Sequence, residues 1–201
     1  MLRLDPKLYE HYYTMLSAFV EKICPITQEA LNDIRKQSQL VDVSKGHYML
    51  ENGEIEKDVR FLCKGTIKIV DHWQNKSYIY DYRTAPSIVC EMVSFYSKQP
   101  SHMSLITITD CHYFIIPQDI FLSLMDSDNS VAHSSARAIS LFLGVSHHKQ
   151  RLFRTLSAEE RYLLFLKEFP MVARTEKLSD ISSYLGINPA TLSRIRNRIS
   201  L

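Results

Sequence analysis

Apolar positions recur at helical spacing near both ends of the chain and at alternate positions between them. Tyr9, Tyr12, Tyr13, Leu16, Phe19, Val20 and Ile23 share one face of a helix that starts at Asp5-Pro6 and is closed by Pro25. A second helix is predicted from about 27 to 37, burying Leu31 and Ile34. From residue 39 the period falls to two. Strand-like runs lie near 39–43, 47–50, 59–63, 65–70, 77–82, 87–90, 104–108 and 111–116. Lys45-Gly46, Asn52-Gly53 and Lys64-Gly65 punctuate them as turns. Short strands at this spacing predict an antiparallel barrel or jelly roll.

Helical spacing returns after Pro117. Pro117-Gln118-Asp119 opens a short helix to about Met125, and Asp126-Ser127-Asp128-Asn129 is a turn able to cap the next one. That turn lacks the central glycine and closing glutamate of a calcium loop. A long helix is predicted over 130–153, with Val131, Ala138, Phe142, Val145 and Leu152 along a near-heptad seam interrupted by Ser135 and Lys149. Such a seam serves core packing or a dimer contact, and dimerisation through Val131, Ala138, Phe142 and Val145 is the expectation. His147 and His148, adjacent on a helix, cannot face one metal ion, so no metal site is expected there. Ser157-Ala158-Glu159-Glu160 is a capping box opening a helix with Tyr162, Leu163, Phe165, Leu166 and Phe169, ended by Pro170.

The most specific pattern runs from Leu178 to Arg196. Ile181, Leu185, Ile187, Leu192 and Ile195 bury one face of two short helices against each other. Ser182 is small enough for close approach. Gly186 suits the left-handed end of the first helix, Asn188 is a good N-cap, and Pro189 fits the first helical position. The second helix carries arginines and no acidic residue. This is the sequence form of a helix-turn-helix, the motif that lays a helix in the DNA major groove. A plain helical hairpin with a solvated arginine face is the alternative. Under the DNA reading Arg194 is the candidate for bidentate contact with guanine, and Thr191 and Ser193 reach bases or phosphates. Ser179, Asn188 and Arg198 complete the candidate set, Ser179 and Arg198 as backbone-positioning contacts.

Composition is that of an ordinary globular chain of 201 residues with a formal charge of +2. That total hides an asymmetry. From His147 onward ten Lys/Arg face five Asp/Glu, whereas the preceding part has fourteen against seventeen. A polyanionic partner at the C-terminal end is consistent with this. Cys24, Cys63, Cys90 and Cys111 form no C-x-x-C pair; buried thiols are expected, and neither zinc nor an iron–sulfur cofactor. No apolar run reaches the roughly 18 residues of a spanning helix. The N-terminus, with Asp5, Lys7 and Glu10, has no signal region, so a cytoplasmic protein without membrane partners is expected. No stretch offers a recognisable nucleophile or acid–base constellation, and an enzyme is not expected.

Two stretches carry a family resemblance. Lys45 to Gly53, continued by Val59 to Lys68, resembles the glycine-marked opening strands of a cyclic-nucleotide-binding β-roll. Thr191-Leu192-Ser193-Arg194 resembles the base-reading segment of a recognition helix. In this order, with a long helix between them, they resemble the Crp/Fnr family of bacterial transcription regulators over nearly the whole chain. The resemblance implies an α+β fold: an N-terminal jelly-roll-like β-roll with flanking helices (1–126), a long dimerisation helix (127–154) and a trihelical helix-turn-helix domain (155–201). It implies a homodimer on double-stranded DNA. It also implies an effector site opened by a Gly-Glu pair and closed by an Arg before Ser or Thr. Here Glu91 fills the glutamate position, but Cys90 replaces the glycine and Ser101-His102 stands where the arginine is expected. Without that fork-shaped cation, control by cAMP is not expected. Glu91, Ser101 and His102 are therefore candidates either for a different small-molecule effector or for no effector at all. An aromatic-lined cavity between the roll and the long helix favours a ligand, and a filled interior argues against one. The alternative reading is a ligand-sensing module whose DNA binding is absent or secondary.

Overall fold

Asp5 accepts a hydrogen bond from the Lys7 N–H and starts helix α1 (Pro6–Ile23), with proline in the first turn where its missing N–H costs nothing. Thr27 caps α2 (Gln28–Gln37), which buries Ala30 and Ile34. Leu31 lies only half-buried, so the inward face is turned by one residue from the expected one. This computed structural model describes residues 5–199.

All eight strand-like runs form strands: β1 (Gln39–Val43), β2 (Tyr48–Leu50), β3 (Asp58–Lys64), β4 (Thr66–Trp73), β5 (Lys76–Thr84), β6 (Ser87–Val89), β7 (Met103–Thr107) and β8 (Cys111–Pro117). They pair as two antiparallel four-stranded sheets, β1-β8-β3-β6 and β2-β7-β4-β5. Met49, Leu50, Leu62, Ile67, Val89, Leu105, Cys111 and Tyr113 fill the space between the sheets. The alternation that predicted the strands thus reflects one face turned into this interior.

Two turns show why the sheets close where they do. Gly65, between β3 and β4, has φ +97°, and a Cβ there would lie 2.5 Å from Cys111 Sγ and 2.6 Å from the Asp110 carbonyl oxygen. Only glycine fits. The β4–β5 hairpin turns through Gln74 and Asn75 with φ of 48° and 61°, both left-handed as a two-residue hairpin of matching twist requires. It contains no glycine, and the turn signals in the sequence do not mark it.

The remaining helices are α3 (Met92–Ser97), α4 (Gln118–Ser127), α5 (Asn129–Thr155), α6 (Ala158–Glu168), α7 (Pro170–Thr175), α8 (Leu178–Leu185) and α9 (Pro189–Ile199). Asp128 caps α5, and the Ser157–Glu160 capping box is formed at α6. Pro170 ends α6 as expected, but it also begins α7, where a first-turn proline is equally at home. Helices α3 and α7, at six residues each, are too short for a periodic signal.

Helix α5 departs from the expected seam. Val131 is 3% exposed and belongs to the cluster formed by α1, α2, β3 and β8. It is a core position of its own chain, not part of an outward stripe. Ala138 is half-buried over the same cluster, and Lys149 turns inward to Asp81. Leu141, Phe142, Leu143 and Val145 remain exposed.

The C-terminal helices do not close a core by themselves. Tyr162, Phe165, Phe169, Ile181, Tyr184, Leu185, Leu192 and Ile195 pack together with Val70, Ile79, Tyr82 and Ile108 of the roll. Tyr82 is 1% exposed, its ring 5.3 Å from Tyr184 and 5.7 Å from Phe169. Polar contacts fix the register of this docking. Ser183 Oγ accepts the Ile79 N–H at 3.0 Å, and Lys68 Nζ donates to Asp180 at 2.6 Å and to Glu176 at 3.2 Å. Burial pushes the Asp180 carboxyl up, but Lys68 outweighs it and the net shift is downward. Burial likewise pulls Lys68 down, and its bond to Asp180, with the Glu176 charge, brings the net upward.

The signs define a pH window. A lowered acid stabilises above the ordinary carboxylate pKa and loses that contribution as pH falls through its depressed value. A raised base stabilises below the ordinary lysine pKa and loses it as pH rises through its elevated value. Docking of α8 on the β4–β5 hairpin is therefore strongest between these limits. Lys68→Met is expected to cost about 2 kcal/mol at neutral pH, the scale of hydrogen bonds to charged groups. Hydrogen exchange at the Ile79 amide should accelerate in that variant, and unchanged exchange would remove Lys68 from the clamp.

Candidate nucleic-acid interface and effector region

Local capping, joined by one contact from α6, shapes the turn between α8 and α9. Gly186 adopts φ +61°, its N–H bonds the Ser183 carbonyl, and the Ile187 N–H bonds the Ser182 carbonyl at 3.0 Å. Arg161 of α6 donates to the Leu185 carbonyl at 2.6 Å, satisfying one more open acceptor at the helix end. Asn188 Oδ1 then accepts the Ala190 N–H at 2.8 Å and starts α9. Buried Ser182 lets the helices close, and Leu192 and Ile195 seat α9 on α8 and α6.

With those two residues inside, the opposite face of α9 is open. Arg194 and Arg198 are exposed, Thr191 and Ser193 half-buried beside them, and Asn188 exposed at the start. Thr191, Arg194 and Arg198 thus lie on one side of this helix, while Ser193 is on its other flank. Arg198 carries an exposed pair with Glu159 at 3.3 Å, which is worth little and yields readily to a stronger anion. Ser179 sits apart, exposed in the first turn of α8 beside Asp180.

The effector candidates are placed differently from the expectation. Glu91 caps α3, accepting the Val93 and Ser94 N–H groups at 3.0 and 2.9 Å. Its carboxylate serves the chain's own backbone. Ser101 is buried, with its hydroxyl bonded to the Met103 backbone. His102 is exposed, its ring edge-on to Trp73. The three do not converge on a common point through any side-chain contact.

A pair that the sequence reading did not single out occupies the neighbourhood instead. Glu56 is 0% exposed and Arg60 4%. Arg60 Nη1 donates to both Glu56 oxygens at 2.8 Å, and Nη2 donates to the Met49 carbonyl at 2.8 Å and to Asp58 at 3.3 Å. Glu56 also accepts the backbone N–H groups of Lys57 at 3.0 Å, Asp58 at 3.1 Å and Glu91 at 3.3 Å. A buried carboxylate so surrounded is an internal anion with its hydrogen-bonding capacity used. The signal in the sequence was Arg60 itself, a lone cation within the apolar strand Val59-Arg60-Phe61-Leu62-Cys63.

Of the hollows that border the long helix, two bear on the site. One is an apolar pocket of about 130 Å³ between α1, α3, β3 and α5, with Phe61, Phe95 and Phe121 among its walls. The other is a cleft of about 370 Å³ where β5, α5, the end of α6 and α8 meet. Arg83 and Lys149 both hold the carboxylate of Asp81 at its base. Burial raises the thiols of Cys63, Cys90 and Cys111 above their ordinary value, Cys63 to about 12, so they are not poised as nucleophiles or ligands. Among the described residues no group of histidines, cysteines and carboxylates could hold a metal ion. Nor is any described helix long and apolar enough to cross a membrane.

Residues 40–128 match the family described as cyclic nucleotide-binding domain. No curated protein sequence matches the chain. Among solved structures it is similar to FixK2 from Bradyrhizobium japonicum, at 17% identity and TM-score 0.67 over 81% of this chain and 84% of that one. It is also similar to the c-di-GMP-responsive global regulator CLP of Xanthomonas campestris, at 14% identity and TM-score 0.65 over 87% and 92%. The catabolite activator protein of Thermus thermophilus shares 13% identity and a TM-score of 0.53 over 87% and 84%. At these identities the likeness establishes the fold.

Proposed function

We propose that this chain, a cyclic nucleotide-binding β-roll followed by C-terminal helices in the Crp/Fnr architecture, is a transcription regulator that reads a palindromic DNA site as a homodimer without control by cAMP. The observation that carries the reading is the helix-turn-helix geometry. Gly186 and Asn188 set α9 so that Arg194 is exposed with Thr191 on the same side and Ser193 on the other flank, and the helix itself carries no carboxylate. Such a helix suits a major groove, where a guanidinium pairs with the O6 and N7 of guanine.

The proposed division is a roll 1–126, a connecting helix 127–154 and a DNA-binding part 155–201, with Val70, Ile79, Tyr82 and Ile108 packing the first against the last. The similar solved structures include a catabolite activator protein and a global regulator, which favours a role in gene control. Effector control by a cyclic nucleotide is disfavoured on chemical grounds. Glu56 takes the Arg60 guanidinium and the Glu91 N–H, Glu91 caps α3, and Ser101-His102 supplies no fork-shaped cation. A phosphate entering here would meet an internal carboxylate.

Pairing would use Leu141 and Leu143 in the exposed middle of α5 rather than a seam beginning at Val131, since Phe142 and Val145 of the expected seam line the cleft. Leu141 is 53% exposed and outside both hollows. Leu141→Glu is expected to weaken the dimer at least a hundredfold, since two leucines at about 1.5–3 kcal/mol each leave the interface. Sedimentation equilibrium reads this directly; an unaltered dissociation constant would move the interface elsewhere.

Selection of duplex DNA from a random library by the purified protein, without added ligand, tests the function. Recovery of an inverted repeat with half-sites about one helical turn apart is expected. Recovery of no preferred sequence would favour the ligand-sensing alternative.

A further inference from the structure

The cleft between the roll, the long helix and the DNA-binding part carries charge that its own walls do not balance. Asp81 is buried, and two cations, Arg83 from the same strand and Lys149 from α5, share its single carboxylate. One positive charge is left over in a partly enclosed recess, where screening by water is reduced. Across the opening, Arg154 and the exposed Glu168 offset each other in formal charge.

The rest of the wall is aromatic. Arg83 lies over the Phe142 ring at 5.1 Å, Lys149 lies 4.7 Å from the Tyr184 ring centre, and Tyr80 and Phe153 complete the lining. A volume of about 370 Å³ is within the range of small-molecule sites, and apolar walls with a few convergent polar groups are their usual composition.

We propose that this cleft binds a small organic anion, a carboxylate or sulfonate on a planar apolar body, with the charge on Arg83 and Lys149 and the ring against Phe142 and Tyr184. The three bodies that build the recess are the ones whose relative placement would position α9. A ligand touching β5, α5 and α8 together therefore stabilises the docked arrangement seen here by its differential affinity for it. Only this consequence rests on the regulator reading; binding itself needs no DNA.

The probe is 8-anilinonaphthalene-1-sulfonate, followed by fluorescence on the full chain. Saturable binding at one site per protomer is expected, displaced by naphthalene-1-carboxylate and not by the uncharged naphthalene-1-methanol. Gln150 is exposed at the cleft wall, so Gln150→Trp should fold normally and obstruct the opening. It is expected to weaken binding at least tenfold. Arg83→Gln should do the same, while Arg194→Ala leaves binding unchanged and removes only DNA preference. Absence of saturable binding, equal displacement by the alcohol, or unchanged affinity in Gln150→Trp would overturn the assignment.

Discussion

Arg194→Ala is expected to lower affinity for the preferred DNA sequence by about 5- to 150-fold per half-site, corresponding to roughly 1–3 kcal/mol of lost base discrimination. Affinity for unrelated duplexes should fall far less. The side chain is exposed on α9, while Leu192 and Ile195 hold the helix in place, so the fold should survive the change. Salt titration separates base reading from mere charge. A phosphate contact released by the mutation would lower the slope of log affinity against log salt by about 0.9, whereas loss of a base contact leaves the slope nearly intact. Uniform weakening across all sequences, with a shallower slope, would reassign Arg194 to the backbone. Retained selectivity would remove it from the interface.

Arg60→Met is expected to destabilise the protein by about 3–5 kcal/mol, because the variant leaves the Glu56 carboxylate buried without its cation. For a chain of this length that corresponds to roughly 6–20 °C in Tm. The three backbone N–H groups on Glu56 remain and place the cost at the lower part of that range. Arg60→Lys keeps the charge but cannot span both carboxylate oxygens and the Met49 carbonyl together, so it should fall between the two. Thermal and denaturant unfolding check the order. A loss below about 1 kcal/mol in the methionine variant would mean that the pair is solvated in solution and that the roll is open to an anion from outside.

Much of the architecture was legible because it is encoded locally. The eight strands follow alternation, and the caps at Asp5, Asp128 and Ser157 follow side-chain chemistry that acts over two or three residues. Short elements escaped for the same reason, since α3 and α7 complete fewer than two turns and give periodicity nothing to accumulate. The candidate sites divide along this line. The α9 surface was legible, because an N-cap, a left-handed glycine and a buried face fix one helix against its neighbour. The effector candidates were less so. Glu91 was identified by position, but its use as a helix cap depends on α3, which the sequence did not reveal.

The seam on α5 illustrates the limit most clearly. Spacing assigns Val131, Ala138, Phe142 and Val145 to one stripe, yet the first is core and the last two are exposed. Along a 27-residue helix the covering partner changes, from α1 and α4 at its start to β5 and α6 near its end. A one-dimensional pattern records that a side chain is apolar and does not record what covers it. The same holds for charge, as Lys149 looked like an interruption and is an inward-facing partner of Asp81.

By itself, then, the sequence determined the order of elements, their caps and turns, and the composition of the α9 face, all governed by interactions between near neighbours in the chain. Tertiary structure alone decided that Glu56 meets Arg60 as a closed internal ion pair, that Tyr82 enters the core of the C-terminal helices, and that one surplus cation lines the cleft beside α5. Those outcomes depend on burial and on distances between residues as far apart as Asp81 and Lys149. Desolvation and Coulomb attraction act through space and leave no periodic trace along the chain.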